Sequence, residues 1–182
     1  CQWSQLYNSL NKRNHFEDND YNFDNLHCTT TNLQDHLRWQ LMLTPMNDID
    51  RSIALTLIDS INEQGFLEID LEEVKELVSQ NHPVDLEEVA AVLHRIQQFD
   101  PLGVGARDLK ECLLIQLDTL ETNPLINLAK NCVSNHIELL GKKDFETLKR
   151  RLKIDQNTLL EVIRFIQTLN PRPGSSIGTA KQ

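Results

Sequence analysis

Cys132 and His136 are potential metal ligands four residues apart, and a helix would place both on the same face. A zinc site needs three or four protein ligands, and no second close pair of cysteines or histidines accompanies these two. Cys112 and Cys132 also lie among leucines and isoleucines at helical spacing, which favours a role as small core residues. The sequence therefore predicts no bound metal and no other cofactor, with a metal site at Cys132 as the alternative.

The segment GVGARD, residues 103–108, has the glycines of a phosphate-binding loop. It lacks the preceding strand and the Gly-Lys-Ser/Thr ending that phosphate binding requires. We interpret its glycines as permitting a tight turn between helices, with Asp108 as a helix cap and Arg107 as a clamp on nearby carbonyl or carboxylate groups. The six histidines show no metalloprotease spacing, and no serine lies in a nucleophile elbow. The sequence therefore predicts a protein that is not an enzyme.

Glutamates cluster near two predicted helix starts, where the helix dipole favours carboxylates. This acidic set consists of Glu72, Glu73, Glu76, Glu87 and Glu88. Such positions are typical of helix caps and of faces exposed to solvent. We therefore interpret the set as an exposed surface that can contact a partner, and not as acid/base machinery.

A basic cluster occurs late in the chain, inside a pattern typical of a helix-turn-helix at residues 144–169. The cluster consists of Lys149, Arg150, Arg151 and Lys153. Its charges would suit phosphate groups. The solvent face of the second helix, however, offers only Gln156, Asn157, Glu161, Arg164 and Gln167, a poor set for reading bases. A structural or protein-binding role is favoured, and phosphate contact or DNA reading is the alternative.

Charge is distributed unevenly along the chain of 182 residues, whose net charge is −9. Residues 1–32 carry 2 basic and 4 acidic side chains, residues 33–101 carry 4 and 14, and residues 102–182 carry 12 and 9. This asymmetry indicates different partners for different parts. The acidic total argues against non-specific coating of nucleic acid. No run is long and apolar enough for a membrane span, so a soluble cytoplasmic protein without membrane contact is expected.

Helical periodicity begins at Leu33 and continues through the chain, which predicts an all-α fold of two small helical bundles in tandem. Apolar stripes, caps such as Asp85 with Glu88, and Pro101 delimit four helices in the first bundle, residues 32–102. Four more helices make the second bundle, residues 103–170, which ends in the helix-turn-helix-like unit. Residues 1–31 lack a lasting period and predict a flexible, disordered acidic arm, with a short recognition element at residues 15–25 as the alternative.

The two bundles also end in similar sequences. With an offset of 70, the stripe of residues 85–101 falls on that of residues 155–171, so Ile96 corresponds to Ile166 and Pro101 to Pro171. We infer that each bundle ends with two capped helices joined by a turn. A chance match between amphipathic helix pairs is the alternative.

Four segments resemble the core-binding region of the sigma-54, or nitrogen-regulation, RNA polymerase sigma factors. They are LQDHLRWQL at residues 33–41, INEQGFLEID at residues 61–70, FDPLGVGARDLKECLLIQL at residues 99–117 and LNPRPGSSIG at residues 169–178. The third is the most specific, because Asp-Pro, two glycines, Ala-Arg-Asp-Leu and Glu-Cys-Leu occur together in fixed order. The chain is similar to the family over residues 32–178.

The resemblance implies a factor that binds core RNA polymerase and directs it to promoters with elements near −24 and −12. There the closed complex waits for an ATP-driven activator. The chain begins at Cys1 and ends in a loop-like segment, so we expect a fragment. The family's activator-binding segment and its promoter-reading parts would lie outside it, and residues 171–182 would be the linker towards the DNA-binding region. Promoter DNA would then bind this fragment weakly or not at all.

We hypothesise a division of labour between the bundles, based on their opposite charge. The acidic set of the first bundle would dock on a basic or mixed polymerase surface, and the family implicates the beta-subunit flap. The more basic second bundle would lie nearer DNA or another subunit. A stand-alone helix-turn-helix DNA-binding regulator and a helical protein-binding adaptor are the two alternatives.

Overall fold

The computed structural model describes residues 32–177, which contain eight α-helices and one short 3₁₀ helix. The helices are α1 Leu33–Leu43, α2 Asp48–Asp59, α3 Leu71–Ser79, α4 Leu86–Ile96, α5 Leu109–Asp118, α6 Pro124–Gly141, α7 Phe145–Leu152 and α8 Gln156–Gln167, followed by the 3₁₀ helix Pro173–Ser176. The all-α prediction is confirmed. The predicted acidic arm lies outside the described residues. No described helix is long and apolar enough to cross a membrane.

Short polar side chains start most of these helices. Asn32 accepts a hydrogen bond from the Asp35 amide at 2.8 Å, and the Asp85 amide donates to the Glu88 carboxylate at 2.8 Å within a capping box. The acidic residues Asp48 and Asp50, which the sequence offers as cap candidates for α2, lie inside its first turn and do not cap it. Asn47 caps α2 instead, because its side-chain oxygen reaches the amide of the third helical residue at 2.7 Å.

The first core is formed by the inward stripes of α1 to α4. Leu37, Ile53 and Ile96 are fully buried in it, together with side chains from all four helices. Val104, from the turn that follows α4, packs in the same core. The domain boundaries drawn from the sequence stay a prediction, but the packing of this turn places it with the first group of helices.

The second core lies between α5, α6, α7 and α8. Its buried side chains include Leu117, Cys132, Leu148, Leu159 and Val162. Helix α6 contacts each of the other three helices and is the longest described element. A break in helical geometry at His136 (φ −134°, ψ 23°) divides α6 and changes the direction of its last turn. The helix-turn-helix-like unit is therefore held in place by α6.

Two turns meet where the groups of helices join. Gly65 has a φ of +99°, a conformation that favours glycine, and its carbonyl accepts a hydrogen bond from the Gly105 amide at 2.8 Å. The Leu67 amide donates to the Ala106 carbonyl at 2.9 Å. These bonds make a short extended piece near Phe66, which forms only isolated bridges within the described residues.

The segment after α8 returns to the first group of helices. The Gly174 amide donates to the Gln64 carbonyl at 2.9 Å, and Ile177 packs against the first core. A Cβ atom at residue 174 would overlap the Glu63 carbonyl oxygen and would lie 2.8 Å from the Gln64 carbonyl carbon. The contact is therefore close enough to require glycine.

Replacing Gly174 with alanine is expected to lower the free energy of unfolding by about 1–3 kcal/mol, because the added methyl group forces the backbones apart. Gly141→Ala is the matched control, since a Cβ there meets no atom within 4 Å. We expect that control to be neutral or slightly stabilising. Urea denaturation of both variants tests the contact, and equal stability of the two would show that the tail does not press on residues 63–64.

Candidate functional site

The acidic surface consists of Glu72, Glu73 and Glu76 on α3 and Glu87 and Glu88 on α4. All five residues are exposed, and the two helices pack against each other. Four of them lie in the first turns of their helices. Glu88 also closes the capping box of α4, and Glu72 lies 4.0 Å from Lys75, a contact too long and exposed to neutralise it. The surface therefore presents carboxylates to solvent.

Leu77 adds an apolar side chain to the acidic surface. It is 46% exposed and lies one helical turn after Glu73, on the same face of α3. A carboxylate-rich face with an apolar side chain suits a partner that combines basic and apolar groups. The sequence stripes did not single out Leu77.

The basic cluster lies at the end of α7 and in the turn after it. Arg150, Arg151 and Lys153 are exposed, whereas Lys149 is half-buried and pairs with Glu146 at 3.2 Å. Lys153 ends the helix in the left-handed conformation, with a φ of 54°. A shallow groove of about 460 Å³ runs beside Lys149, Arg150 and Lys153. The positive charge is thus available to solvent but partly compensated.

The unit formed by α7 and α8 has the expected helix-turn-helix outline, with a three-residue turn at residues 153–155. The side chains predicted for the outer face of α8 are all exposed: Gln156, Asn157, Glu161, Arg164 and Gln167. Leu160, on the same helix, is 38% exposed, which makes the face less suited to base edges. The geometry therefore offers a mixed surface with one cation in α8.

Glu111 joins the two groups of helices. It accepts hydrogen bonds from the Arg107 amide at 2.7 Å and from both sides of the Arg107 guanidinium at 2.9 Å. Gln97, which is 2% exposed, donates to the Glu111 carboxylate at 3.1 Å and to the Gly105 carbonyl at 3.3 Å. The predicted Arg107 clamp is confirmed, and a mixed polar groove of about 690 Å³ lies beside it.

The Glu111 carboxyl has a lowered pKa. Burial alone raises this pKa, but the hydrogen bonds from Arg107 and Gln97 outweigh burial and bring it below its ordinary value of 4.5. A carboxyl whose pKa is lower in the folded state than in the unfolded state stabilises the fold at pH values above its ordinary pKa. That contribution is lost as the pH falls through the pKa that Glu111 has in the folded protein.

Glu111→Gln is therefore expected to lower the free energy of unfolding by about 1–3 kcal/mol at pH 7, because the charged hydrogen bonds to Arg107 are lost. The difference from the parent should shrink as the pH falls below 4.5. Asp118→Asn is the control, since its ion pair with Lys130 at 2.8 Å leaves the Asp118 side chain 68% exposed. A pH series of denaturation curves tests this, and a difference that persists unchanged in acid would argue against the clamp.

Gln116 fixes the start of the returning tail. Its amide nitrogen donates to the Asn170 carbonyl at 2.7 Å, and its amide oxygen accepts from the Asn170 amide at 2.8 Å. Gln116 is 8% exposed, so this pair replaces the water that both groups would otherwise bind. The tail is thus attached to α5 through Asn170 and to the first group of helices through Gly174.

Cys132 is fully buried in the second core, and burial raises the pKa of its thiol to about 11. A protonated thiol is a poor metal ligand. The backbone break at His136 also removes the regular helical spacing on which the alternative of a metal site was based. Among residues 32–177, no group of three or more histidine, cysteine, aspartate or glutamate side chains is placed to hold a metal ion.

The sequence patterns missed an exposed apolar face on α1. Trp39 is 58% exposed, Met42 75% and Leu43 67%. A helical wheel could have found it, because Leu33, Leu37 and Leu41 already fill the buried side. We call these three exposed side chains the apolar face of α1.

Comparison with known proteins gives the family. The model of the sigma-54 factor core-binding domain matches residues 22–182 of the chain. The chain belongs to the sigma-54 factor family. Its resemblance to these factors, first found in four segments, thus extends over both groups of helices.

Named sigma-54 relatives support the same assignment. An RNA polymerase sigma-54 factor of Pseudomonas putida is 48% identical over 98% of the chain, and that of Escherichia coli strain K12 is 46% identical over 84% of it. The sigma-54 factor of Azotobacter vinelandii is 45% identical over 98% of the chain. The chain spans 36% of the Pseudomonas putida relative and 32% of the Escherichia coli one, so it corresponds to about a third of a sigma-54 factor.

Proposed function

We propose that the chain binds core RNA polymerase as the core-binding part of a sigma-54 factor. The observation that carries the proposal is the match of residues 22–182 to the core-binding domain of this family. A sigma-54 factor acts by binding and directing the polymerase, so the chain itself is not an enzyme. It works in the cytoplasm, where the polymerase acts.

The first group of helices makes the principal contact in this proposal. Its acidic surface is exposed, and residues 33–101 carry 14 acidic and 4 basic side chains. Opposite charge steers the two proteins together before short-range contacts form. The beta-subunit flap is the proposed docking site on the polymerase. The basic cluster of α7 lies nearer DNA or another subunit and makes at most incidental phosphate contacts.

In the complete factor, the bound polymerase is directed to promoters with elements near −24 and −12 and waits for an ATP-dependent activator. Promoter reading and activator contact belong to other parts of the factor. The solvent face of α8, with Arg164 beside Glu161, supports little binding to promoter DNA by this chain alone.

Co-elution with purified core RNA polymerase tests the proposal. The chain and polymerase are mixed at physiological salt and separated by size-exclusion chromatography, and we expect the chain in the polymerase fractions. A parallel gel shift with −24/−12 promoter DNA should show no complex. A DNA shift without polymerase binding would favour a stand-alone DNA-binding regulator, and absence of both would favour a helical protein-binding adaptor.

A further inference from the structure

The apolar face of α1 is the largest concentration of exposed hydrophobic groups in the described residues. Its members lie at positions i, i+3 and i+4 of one helix, so they form a continuous strip. The other large hydrophobic side chains exposed within residues 32–177 are between 36% and 46% exposed. Exposed apolar strips of this kind mark interaction sites.

The fold does not need these three side chains for its own stability. Leu33, Leu37 and Leu41 attach α1 to the first core, and each is at most 4% exposed. Removing the outer side chains therefore leaves the buried stripe intact. A surface of this type can be changed without unfolding the protein.

Helix α1 is held rigidly beneath the apolar face. Arg38 bonds to Asp59 at 2.5 Å, and Gln40 exchanges two hydrogen bonds with the Asp100 backbone. Trp39 stacks on the His36 ring, with 6.4 Å between the ring centroids. The stack supports one side of the Trp39 ring, and tryptophan is a frequent energetic anchor in interfaces.

Acidic groups flank the apolar face. Asp35 lies one turn before Trp39 on the same side of α1, and its side chain is 54% exposed. The Asp100 carboxylate is 84% exposed and lies 3.4 Å from His36, which stacks on Trp39. Arg38, the nearest cation on α1, is already paired with two carboxylates. Beyond Leu43, Arg51 and Arg95 bond to the Thr44 and Pro45 carbonyls, so the edges of the face carry charges of both signs. Residues 33–101 as a whole carry 14 acidic and 4 basic side chains, so the field around the face is negative.

The negative charge of residues 33–101 selects the occupant. A second copy of the chain carries a net charge of −9, and residues 1–31 carry 4 acidic and 2 basic side chains, so both would be repelled. Nucleic acid is excluded for the same reason. A polypeptide surface with an apolar centre and a basic rim is complementary in both respects.

We propose that the apolar face of α1 is the energetic anchor that docks on a basic-rimmed apolar surface of core RNA polymerase. This inference rests on the proposed function and deepens it. Trp39, Met42 and Leu43 enter the polymerase surface, while the acidic surface of α3 and α4 steers the approach. Loss of an apolar anchor speeds dissociation, whereas loss of steering charge slows association.

A triple variant with Trp39→Gln, Met42→Gln and Leu43→Gln tests the anchor in the full 182-residue chain. Its affinity for purified core RNA polymerase should fall at least about 30-fold, through a faster dissociation rate, as expected when a hot spot is removed. The matched control carries Leu55→Gln, Leu120→Gln and Leu160→Gln, which are 38–41% exposed. The control should bind within about threefold of the parent.

Helical circular dichroism and melting curves establish that both variants are folded. If the α1 triple variant melts early, Met42→Gln alone, at the most exposed position, should still speed dissociation. A folded α1 variant with parental affinity overturns the inference and leaves the proposed function standing. Failure of the parent itself to bind polymerase overturns the proposed function instead. Self-association of the parent that the α1 variant abolishes would identify a second copy as the occupant and would also overturn the inference.

Discussion

Replacing Ile96 with aspartate is expected to unfold the first group of helices at 25 °C. Ile96 is 0% exposed at the end of α4, and its side chain lies against the turn at Gly105. An unpaired carboxylate there would have no hydrogen-bond donor to compensate for lost water, a cost of more than about 4 kcal/mol. Since small domains are stable by only about 5–15 kcal/mol, a loss of this size or larger can exceed the stability of a domain at the lower end of that range.

Ile166→Asp, at the corresponding position of the internal repeat, is the control. The two isoleucines hold corresponding positions in the sequence repeat, but Ile166 is only half-buried. Its substitution should therefore lower the free energy of unfolding by less. Helix α4 is covered by α2, α3 and the turn at Gly105, whereas α8 is covered by α6 and α7. Thermal melting followed by circular dichroism compares them. If Ile96→Asp melts as late as Ile166→Asp, the assignment of the first core is wrong.

Reversing the charge of Glu72, Glu73 and Glu76 to lysine is expected to slow association with core RNA polymerase by about tenfold or more at low salt. The substitution replaces three exposed carboxylates with three ammonium groups, which repel a basic partner surface. Added salt screens this attraction over about 8–10 Å, so the difference from the parent should shrink at high salt. Association rates at two salt concentrations measure the effect.

The matched control reverses Lys149, Arg150 and Arg151 to glutamate, which changes the charge by the same amount on the second group of helices. We expect a smaller effect on the association rate. Lysines in the first turn of α3 also oppose the helix dipole, so circular dichroism must establish that both variants are folded. If the basic-cluster variant loses more, the second group of helices is the principal dock and the proposed division of labour is reversed.

Local sequence signals were sufficient for the helices because each is specified by an apolar stripe and nearby polar caps. Asp85, Asp108 and Asp144 lie at helix starts as their spacing indicated. The return of Gly174 to the turn at Gln64 could not be predicted, since it joins residues 110 positions apart without a local pattern. Such long-range backbone contacts depend on how the helices pack and not on periodicity.

Exposure of the five glutamates also followed from the sequence, because carboxylates in first helical turns favour solvent, whereas the half-burial of Lys149 did not. The partners of buried polar groups did not follow. A glutamine side chain in or beside a helix usually extends into solvent, yet Gln97 and Gln116 are only 2% and 8% exposed. They are buried because Gln97 hydrogen-bonds to Glu111 and Gln116 hydrogen-bonds to Asn170. Trp39 was overlooked because it lies off the buried stripe of Leu33, Leu37 and Leu41, which was the only pattern used for this helix.

Competition for core RNA polymerase shows whether this chain is a polymerase-binding part of a sigma-54 factor. A labelled full-length sigma-54 factor, such as that of Pseudomonas putida, is bound to purified core polymerase and titrated with the unlabelled 182-residue chain. We expect the chain to displace the labelled factor, because both bind the same surface of the polymerase. The acidic-surface and α1 variants should require higher concentrations for the same displacement. Stable binding of the labelled factor at saturating concentrations of the chain would contradict the claim that this chain is a polymerase-binding part of a sigma-54 factor.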